Sequence, residues 1–303
     1  MTGVRIKKSK WGAAFDTFNI VTMCFISFTM LFPLWNMLVI SFSRVQDITL
    51  LRMNLFPKQI VFDSYAYIFR DNKFLTALGV SVSRTAVGAL YHILVTYLAA
   101  YALTRRKMPF LKTITALFIV TMFFSGGLIP TYITYKGLGL SNNFLVYVLP
   151  PAFSMFTTII VRNYLFSIDG ALEESAIIDG ANPLQVMYRI MLPVSKPVLA
   201  TIALWHMVTQ WNSWFDNMIF NSGNPNLLTL QLMLRRIIVD PQDYMISAQS
   251  YASSMADGDR LVSLNPETIK AAIVILVISP IICVYPFFQK HFVKGIMLGS
   301  VKG

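Results

Sequence analysis

Charge is scarce in this chain: 13% of its 303 residues are Asp, Glu, Lys or Arg, with only 14 acidic side chains and 3 histidines. A soluble domain carries about 25% charged residues, so a water-exposed globule is excluded. Cysteine is scarcer still. Cys24 and Cys283 stand alone in apolar runs, which rules out a disulfide framework or a CxxC metal site and makes both read as buried, hydrophobe-like thiols. Catalytic signatures are also missing. The chain has no G-x-x-x-x-G-K-[ST] phosphate loop, no HExxH and no serine–histidine–aspartate arrangement, so no catalytic residue and no metal ligand is assigned. Alternating segments of about 10 residues, the mark of a transmembrane barrel, do not occur either.

What is abundant is apolar length. Hydrophobic residues make up 55% of the chain, 23 of them phenylalanine, and mean hydropathy is +0.60. A helix needs about 20 apolar residues to cross a bilayer core, and six such windows can be laid out. They cover about 18–42, 77–103, 113–135, 144–166, 198–220 and 269–288. The gaps leave no room for a nucleotide-binding domain, so the expectation is an all-α membrane protein with one domain over 1–303. Its N-terminal run is too long for a cleavable signal and reads as a retained first helix.

The net charge of +11 does not point to nucleic acid. Lys and Arg concentrate on the cytoplasmic side of membrane proteins, and the basic clusters at Arg5, Lys7, Lys8, Lys10 and at Arg105, Arg106, Lys107 place both termini inside. The stretch 167–196 then faces the cytoplasm and 221–268 faces outward.

Within that inner stretch, LEESAIIDGANPLQVMYRIMLP reads as two short helices joined by a turn. Asp169 caps the first, Glu173 and Glu174 sit near its positive end, and Gly180 suits a helix stop with positive φ. Asn182 followed by Pro183 restarts a helix, which Pro193 and Pro197 end. Such a hairpin suits docking into a groove on another protein; an interfacial pair lying on its own bundle fits the residues equally well.

The fifth window holds LWHMVTQWNSWFDNMIF. On one continuous helix Trp205, Thr209, Asn212 and Asp216 share a face, with His206 and Ser213 at its border. An ionisable residue in a span usually faces a cavity, and aromatics beside amides and hydroxyls suit a sugar. The tryptophans also fit an interfacial belt. Ser125, Gly126, Gly127 and Pro130 loosen or break the third window, giving a cavity or hinge, or close helix packing at the glycines. Arg84 reads as snorkelling or paired near the outer end of the second window, and His92 as packing.

The hairpin sequence resembles the EAA loop of ABC importer permeases. Glu174, Gly180, Ile190, Leu192 and Pro193 match, as does Asp179-Gly180-Ala181, with Ser175 where alanine is usual. The terminal FFQKHFVKGIMLGSVKG is similar to the tail of carbohydrate-uptake permeases of the maltose-transporter type, through Gly295, Gly299, Val301, Lys302 and Gly303. MFFSGGLIPTYITYKGLGLSNN resembles the branch handling oligosaccharides and other complex saccharides. The resemblance implies a multi-pass permease subunit in a bacterial cytoplasmic membrane, with no cofactor of its own. Glu173, Glu174, Ser175, Ala176, Asp179, Gly180, Ala181, Pro183, Ile190, Leu192 and Pro193 would engage an ATPase, and Gly295, Gly299 and Lys302 would touch it from the tail. Trp205, Thr209, Asn212, Asp216, Gly126 and Gly127 would line the substrate path. It further implies a second, homologous permease, two ATPase subunits carrying Mg-ATP, a substrate-binding protein outside the cell and a carbohydrate cargo. An ion-coupled secondary transporter is the alternative; it calls for a buried charge relay and an internal repeat, and the sequence offers only Arg84 and Asp216, with no clear repeat.

Overall fold

Apolar runs of this length can satisfy their backbone in lipid only by coiling into helices. Every regular element among the described residues is helical. The computed structural model describes residues 10–44, 47–48, 55–105, 108–239 and 265–299, the last helix beyond Pro286 by its backbone alone.

The elements are α1 (Lys10–Ser41), α2 (Asp63–Arg70), α3 (Asn72–Ala102), α4 (Leu111–Phe123), α5 (Leu128–Gly137), α6 (Met155–Ser167) and α7 (Ala171–Ile178), followed by α8 (Pro183–Val194), α9 (Lys196–Asn212), α10 (Phe215–Phe220), α11 (Leu230–Val239) and α12 (Pro266–Gly299). Short 3-10 turns at Phe144–Tyr147 and Pro150–Ala152 precede α6. Three helices, α1, α3 and α12, are long and apolar enough to cross a membrane alone. Three bent pairs meet the same measure: α4 with α5 (117°), the Phe144–Ala152 turns with α6 (48°) and α8 with α9 (73°), for up to six crossings.

The chain divides into two compact units, residues 1–70 with 240–276 and residues 71–239 with 277–303. In the first, the end of α1 is tied down by polar and aromatic contacts. Ser41 Oγ lies 2.8 Å from the Tyr65 hydroxyl, Phe42 stacks on Tyr65 at 4.9 Å, and Ser64 Oγ donates to Thr268 Oγ1 at 3.0 Å. The rest of α1 is largely exposed. In the second unit α3 is the central helix. It buries Tyr97, Ala100 and Tyr101 against Val161 and Leu165 of α6, Ala176 of α7, Val186 and Met191 of α8, and Val198, Leu199 and Ile202 of α9.

Two sequence expectations are corrected. Both cysteines are exposed rather than buried: an apolar residue of a lipid-facing helix need not be covered by its own chain. The fifth window is not one helix, since α9 stops at Asn212 and Ser213 is extended (ψ 127°). The helix after Asn182 ends at Val194 and bends at Ser195, between Pro193 and Pro197, as the sequence leads one to expect. The turn before Pro193 is widened to π geometry over Val186–Met191, where the proline ring would otherwise crowd the Arg189 carbonyl.

Candidate functional site: a helical hairpin and a broken-helix cavity

Two polar features interrupt the apolar fold, and both are built on α3. The first is the α7–α8 hairpin. Asp169 Oδ1 accepts the Ala171 N–H at 3.0 Å, satisfying a donor at the start of α7. At its other end Gly180 has φ +86°, the Gly180 N–H reaches the Ile177 carbonyl (3.0 Å) and the Ala181 N–H reaches Ala176 (2.9 Å). This paired closure is a Schellman stop, which favours glycine at the left-handed position. Two residues on, Asn182 and Gln185 exchange side-chain and backbone hydrogen bonds, both 2.9 Å, as a capping box that starts α8 with Pro183 in its first turn.

The hairpin is fastened to α3 and its C-terminal extension. Arg105 grips Glu173 with two parallel hydrogen bonds, 2.9 and 2.7 Å, while its guanidinium lies 4.1 Å above the Tyr101 ring. Burial opposes the charge on Arg105, but its bonds to Glu173 and the nearby tyrosines outweigh that, and its pKa is raised. The Tyr97 hydroxyl donates to the Met187 carbonyl at 2.6 Å, which the widened turn of α8 presents. Ala176 is buried and Ala181, Ile190 and Leu192 are partly so, packed on the common core. Glu174, Ser175, Asp179, Pro183 and Pro193 are exposed, and so are the apolar Ile177, Ile178, Leu184 and Tyr188. Glu173 is therefore engaged within the chain, whereas the turn presents an apolar surface.

The second feature is a cavity of about 500 Å³. Arg84 and His92 of α3 line it, with Pro150, Phe156 and Thr157 before and in α6, and Trp205, His206, Thr209 and Gln210 of α9. Beyond the break come Ser213, Asp216 and Phe220. Arg84 is almost wholly buried, and its guanidinium binds both sides of that break. Its Nε and Nη2 donate to Gln210 Oε1 (3.2 and 2.8 Å), Nη1 to the Ser213 carbonyl (3.3 Å), and Nη1 and Nη2 to the Asp216 carboxylate. The Tyr147 ring lies beneath it at 4.3 Å. Asp216 also accepts from Ser213 Oγ and the Asn217 N–H, each at 2.9 Å. Asn217 in turn bridges the Tyr147 hydroxyl, the Leu227 carbonyl and Thr229. Nearby, His92 and His206 stack in parallel at 4.0 Å, and His92 Nδ1 faces the Pro151 and Ala152 carbonyls at 3.1 and 3.0 Å.

Trp205, Thr209 and Asp216 thus come together at this cavity, joined by Arg84, His206, Gln210 and Tyr135. Asn212 does not line it; exposed, it accepts from Gln231 at 3.2 Å. Gly126 and Gly127 also lie apart from it, at the exposed bend between α4 and α5, where Gly127 has φ +83°. Of the other tryptophans, Trp211 is buried and donates to the Val277 carbonyl (3.0 Å), and Trp214 lies 3.5 Å beneath the Arg235 guanidinium. Sequence reasoning missed Gln210; it left Arg84 as snorkelling or paired, and the structure pairs it with Asp216, a partner the sequence analysis did not name. Opposite charges near the same end of two apolar windows were the available signal. Gly295 and Gly299 fall on the described backbone of α12, while Lys302 and most of the expected outer loop, 240–264, lie outside the described residues.

No protein-family model matches the chain. It is 35% identical over 297 residues to protein LplC of Bacillus subtilis strain 168, covering 97% of each chain. To the polygalacturonan/rhamnogalacturonan transport system permease protein YtcP of the same organism it is 37% identical over 272 residues, 89% of this chain and 92% of that protein. Among solved structures, it matches a chain of a bacterial ABC transporter involved in the import of the acidic polysaccharide alginate. The TM-score is 0.85 at 29% identity, over 95% of this chain and 99% of that one.

Proposed function

The chain belongs to the permease subunits of ABC-type carbohydrate importers, and from that premise we propose that it forms half of the membrane path for an oligosaccharide cut from a complex polysaccharide. It is not itself an enzyme; ATP hydrolysis belongs to separate ATPase subunits in such systems. The single observation that carries the proposal is the α7–α8 hairpin, a capped turn with an exposed apolar tip at Ile178 and Leu184, fixed to α3 by Tyr97 and to the segment after α3 by Arg105. An exposed apolar helix pair fits a groove on a partner, and here that partner is one of two ATPase subunits holding Mg-ATP. A second, homologous permease completes the path in a bacterial cytoplasmic membrane. Both termini and the 167–196 hairpin lie inside, and the 221–268 segment faces a substrate-binding protein outside. The C-terminal tail, with Gly295, Gly299 and Lys302, adds contacts to the ATPases.

Glu173, Glu174, Ser175, Ala176, Asp179, Gly180, Ala181, Pro183, Ile190, Leu192 and Pro193 shape and dock the hairpin rather than react. In the cavity, the exposed face of Trp205 suits the apolar face of a pyranose ring, and Thr209, Ser213 and Asp216 offer partners to its hydroxyls. Asn212, Gly126 and Gly127 belong to the wider path or its hinges. Closure of the ATPase pair around ATP pushes the hairpin, and the bend at Ser195 passes that push to α9, so that the cavity opens alternately inward and outward. Relatives named for polygalacturonan, rhamnogalacturonan and alginate support a complex-saccharide cargo.

Ile178→Cys, in a chain with Cys24 and Cys283 replaced by serine, tests the docking. A short bismaleimide should join it to an ATPase subunit bearing a cysteine in its groove, and proteoliposomes of the whole complex should take up tritiated oligogalacturonides or arabino-oligosaccharides only with ATP. No cross-link and no ATP-driven uptake would refute the reading.

A further inference from the structure

The helix α9 is a single rod between two discontinuities, the bend at Ser195 and the break after Asn212. Its first end continues from the hairpin. Its second end stops beside the cavity, where a free helix end would leave carbonyl groups unpartnered and the short α10 unguided. Arg84 fills that role: all three guanidinium nitrogens are spent on Gln210 of α9, the Ser213 carbonyl at the break and Asp216 of α10. At the other end α3 holds the hairpin through Tyr97 and Met187. The two attachments are 13 residues apart on one unbroken helix, about 20 Å at 1.5 Å per residue.

We propose that Arg84 is a positioning residue for transport, a clamp that makes the cavity end of α9 and the start of α10 move with α3 when the hairpin moves. This rests on the importer reading above. A buried ion pair kept only for charge balance could be replaced by apolar residues of like volume without loss. A clamp cannot be replaced in that way, because its three acceptors lie on different backbone segments and must be held in fixed directions.

The distinction can be measured without knowing the cargo. Thr209, which lines the cavity, is changed to cysteine in a Cys24→Ser, Cys283→Ser chain, and the whole importer is labelled in right-side-out vesicles with a membrane-impermeant maleimide. The labelling rate is compared with and without vanadate-trapped ATP, at matched nucleotide occupancy. With Arg84 present, trapping should change the rate at least tenfold. Arg84→Met alone should lower the thermal midpoint of the complex, and Arg84→Met with Asp216→Leu should regain part of that loss because no unpaired buried carboxylate remains, yet the double variant should respond less than twofold. Arg84→Lys, which reaches one acceptor group at a time, should respond in between. A double variant, or Arg84→Lys, with the full tenfold response would overturn the clamp while leaving the importer reading intact. No ATP response in the Arg84 complex would overturn the importer reading itself.

Discussion

Replacing Gly180 by alanine isolates one physical cost. The residue sits at φ +86°, and a Cβ added there would meet nothing within 4 Å. No packing clash therefore contributes, and the whole penalty is that of forcing an L-residue into the left-handed region, about 1–2 kcal/mol. That strain falls on the hairpin turn, so it lowers the free energy needed to open the Schellman closure at Ala176, Ile177, Gly180 and Ala181. A loss of about 1–2 kcal/mol raises an opening equilibrium roughly 5- to 30-fold. Hydrogen exchange of the 176–185 backbone in lipid nanodiscs should accelerate by that factor, while exchange in the middle of α9 stays unchanged. Gly180→Asn should accelerate it much less, because asparagine tolerates the left-handed conformation. Equal effects of alanine and asparagine, or an alanine effect beyond about 100-fold, would refute the reasoning: the first would mean that φ is not the constraint, the second that the turn is packed against something the open space excludes.

Asn182→Ala removes one half of the capping box and should cost about 1 kcal/mol, read as faster exchange at the Gln185 amide. Glu173→Gln weakens a pair whose arginine side chain is 40% exposed; solvent screening limits the effect to less than about 1 kcal/mol, seen as slightly faster exchange in α7 with no change in thermal midpoint. Asn217→Ala strips partners from the Leu227 carbonyl and Thr229 in a buried setting, and should destabilise by about 1–3 kcal/mol, lowering the midpoint in graded detergent denaturation. Ile202→Ala, in the core shared by α3, α6, α8 and α9, should cost about 2–5 kcal/mol in the same titration.

Much of the hairpin is legible in the residues because its signals are local. Gly180, Asn182 and Pro183 act within four positions of themselves, and the structure shows the positive φ, the cap and the helix restart at those residues. The π turn before Pro193 is less legible. A proline in a helical pattern ordinarily marks an end or a kink, and the hydrogen bond from Tyr97 to the carbonyl of that widened turn comes from 90 residues away. The same limit applies to Cys24 and Cys283: apolar context shows that a residue avoids water, not whether protein or lipid surrounds it.

The cavity shows a different failure. A helical wheel carried through residues 205–216 puts Asn212 and Asp216 beside Trp205 and Thr209; Asn212, the last residue of α9, is instead exposed and held by Gln231, while Asp216, beyond the extended Ser213, lines the cavity. Nothing within the window compels the break at Ser213; proline and glycine are both absent from it. The nearest cause is tertiary. Arg84, buried in α3, needs acceptors for its charge, and a continuous helix would keep the Ser213 carbonyl in its own ladder. Breaking the helix releases that carbonyl to the guanidinium and brings Asp216 to neutralise it, with the Asn217 N–H and Ser213 hydroxyl completing the carboxylate. The arginine and the break are thus one feature written in two windows 126 to 132 residues apart. A pair of lone opposite charges in apolar segments is therefore better read as a constraint on backbone geometry than as two separate exceptions to hydropathy.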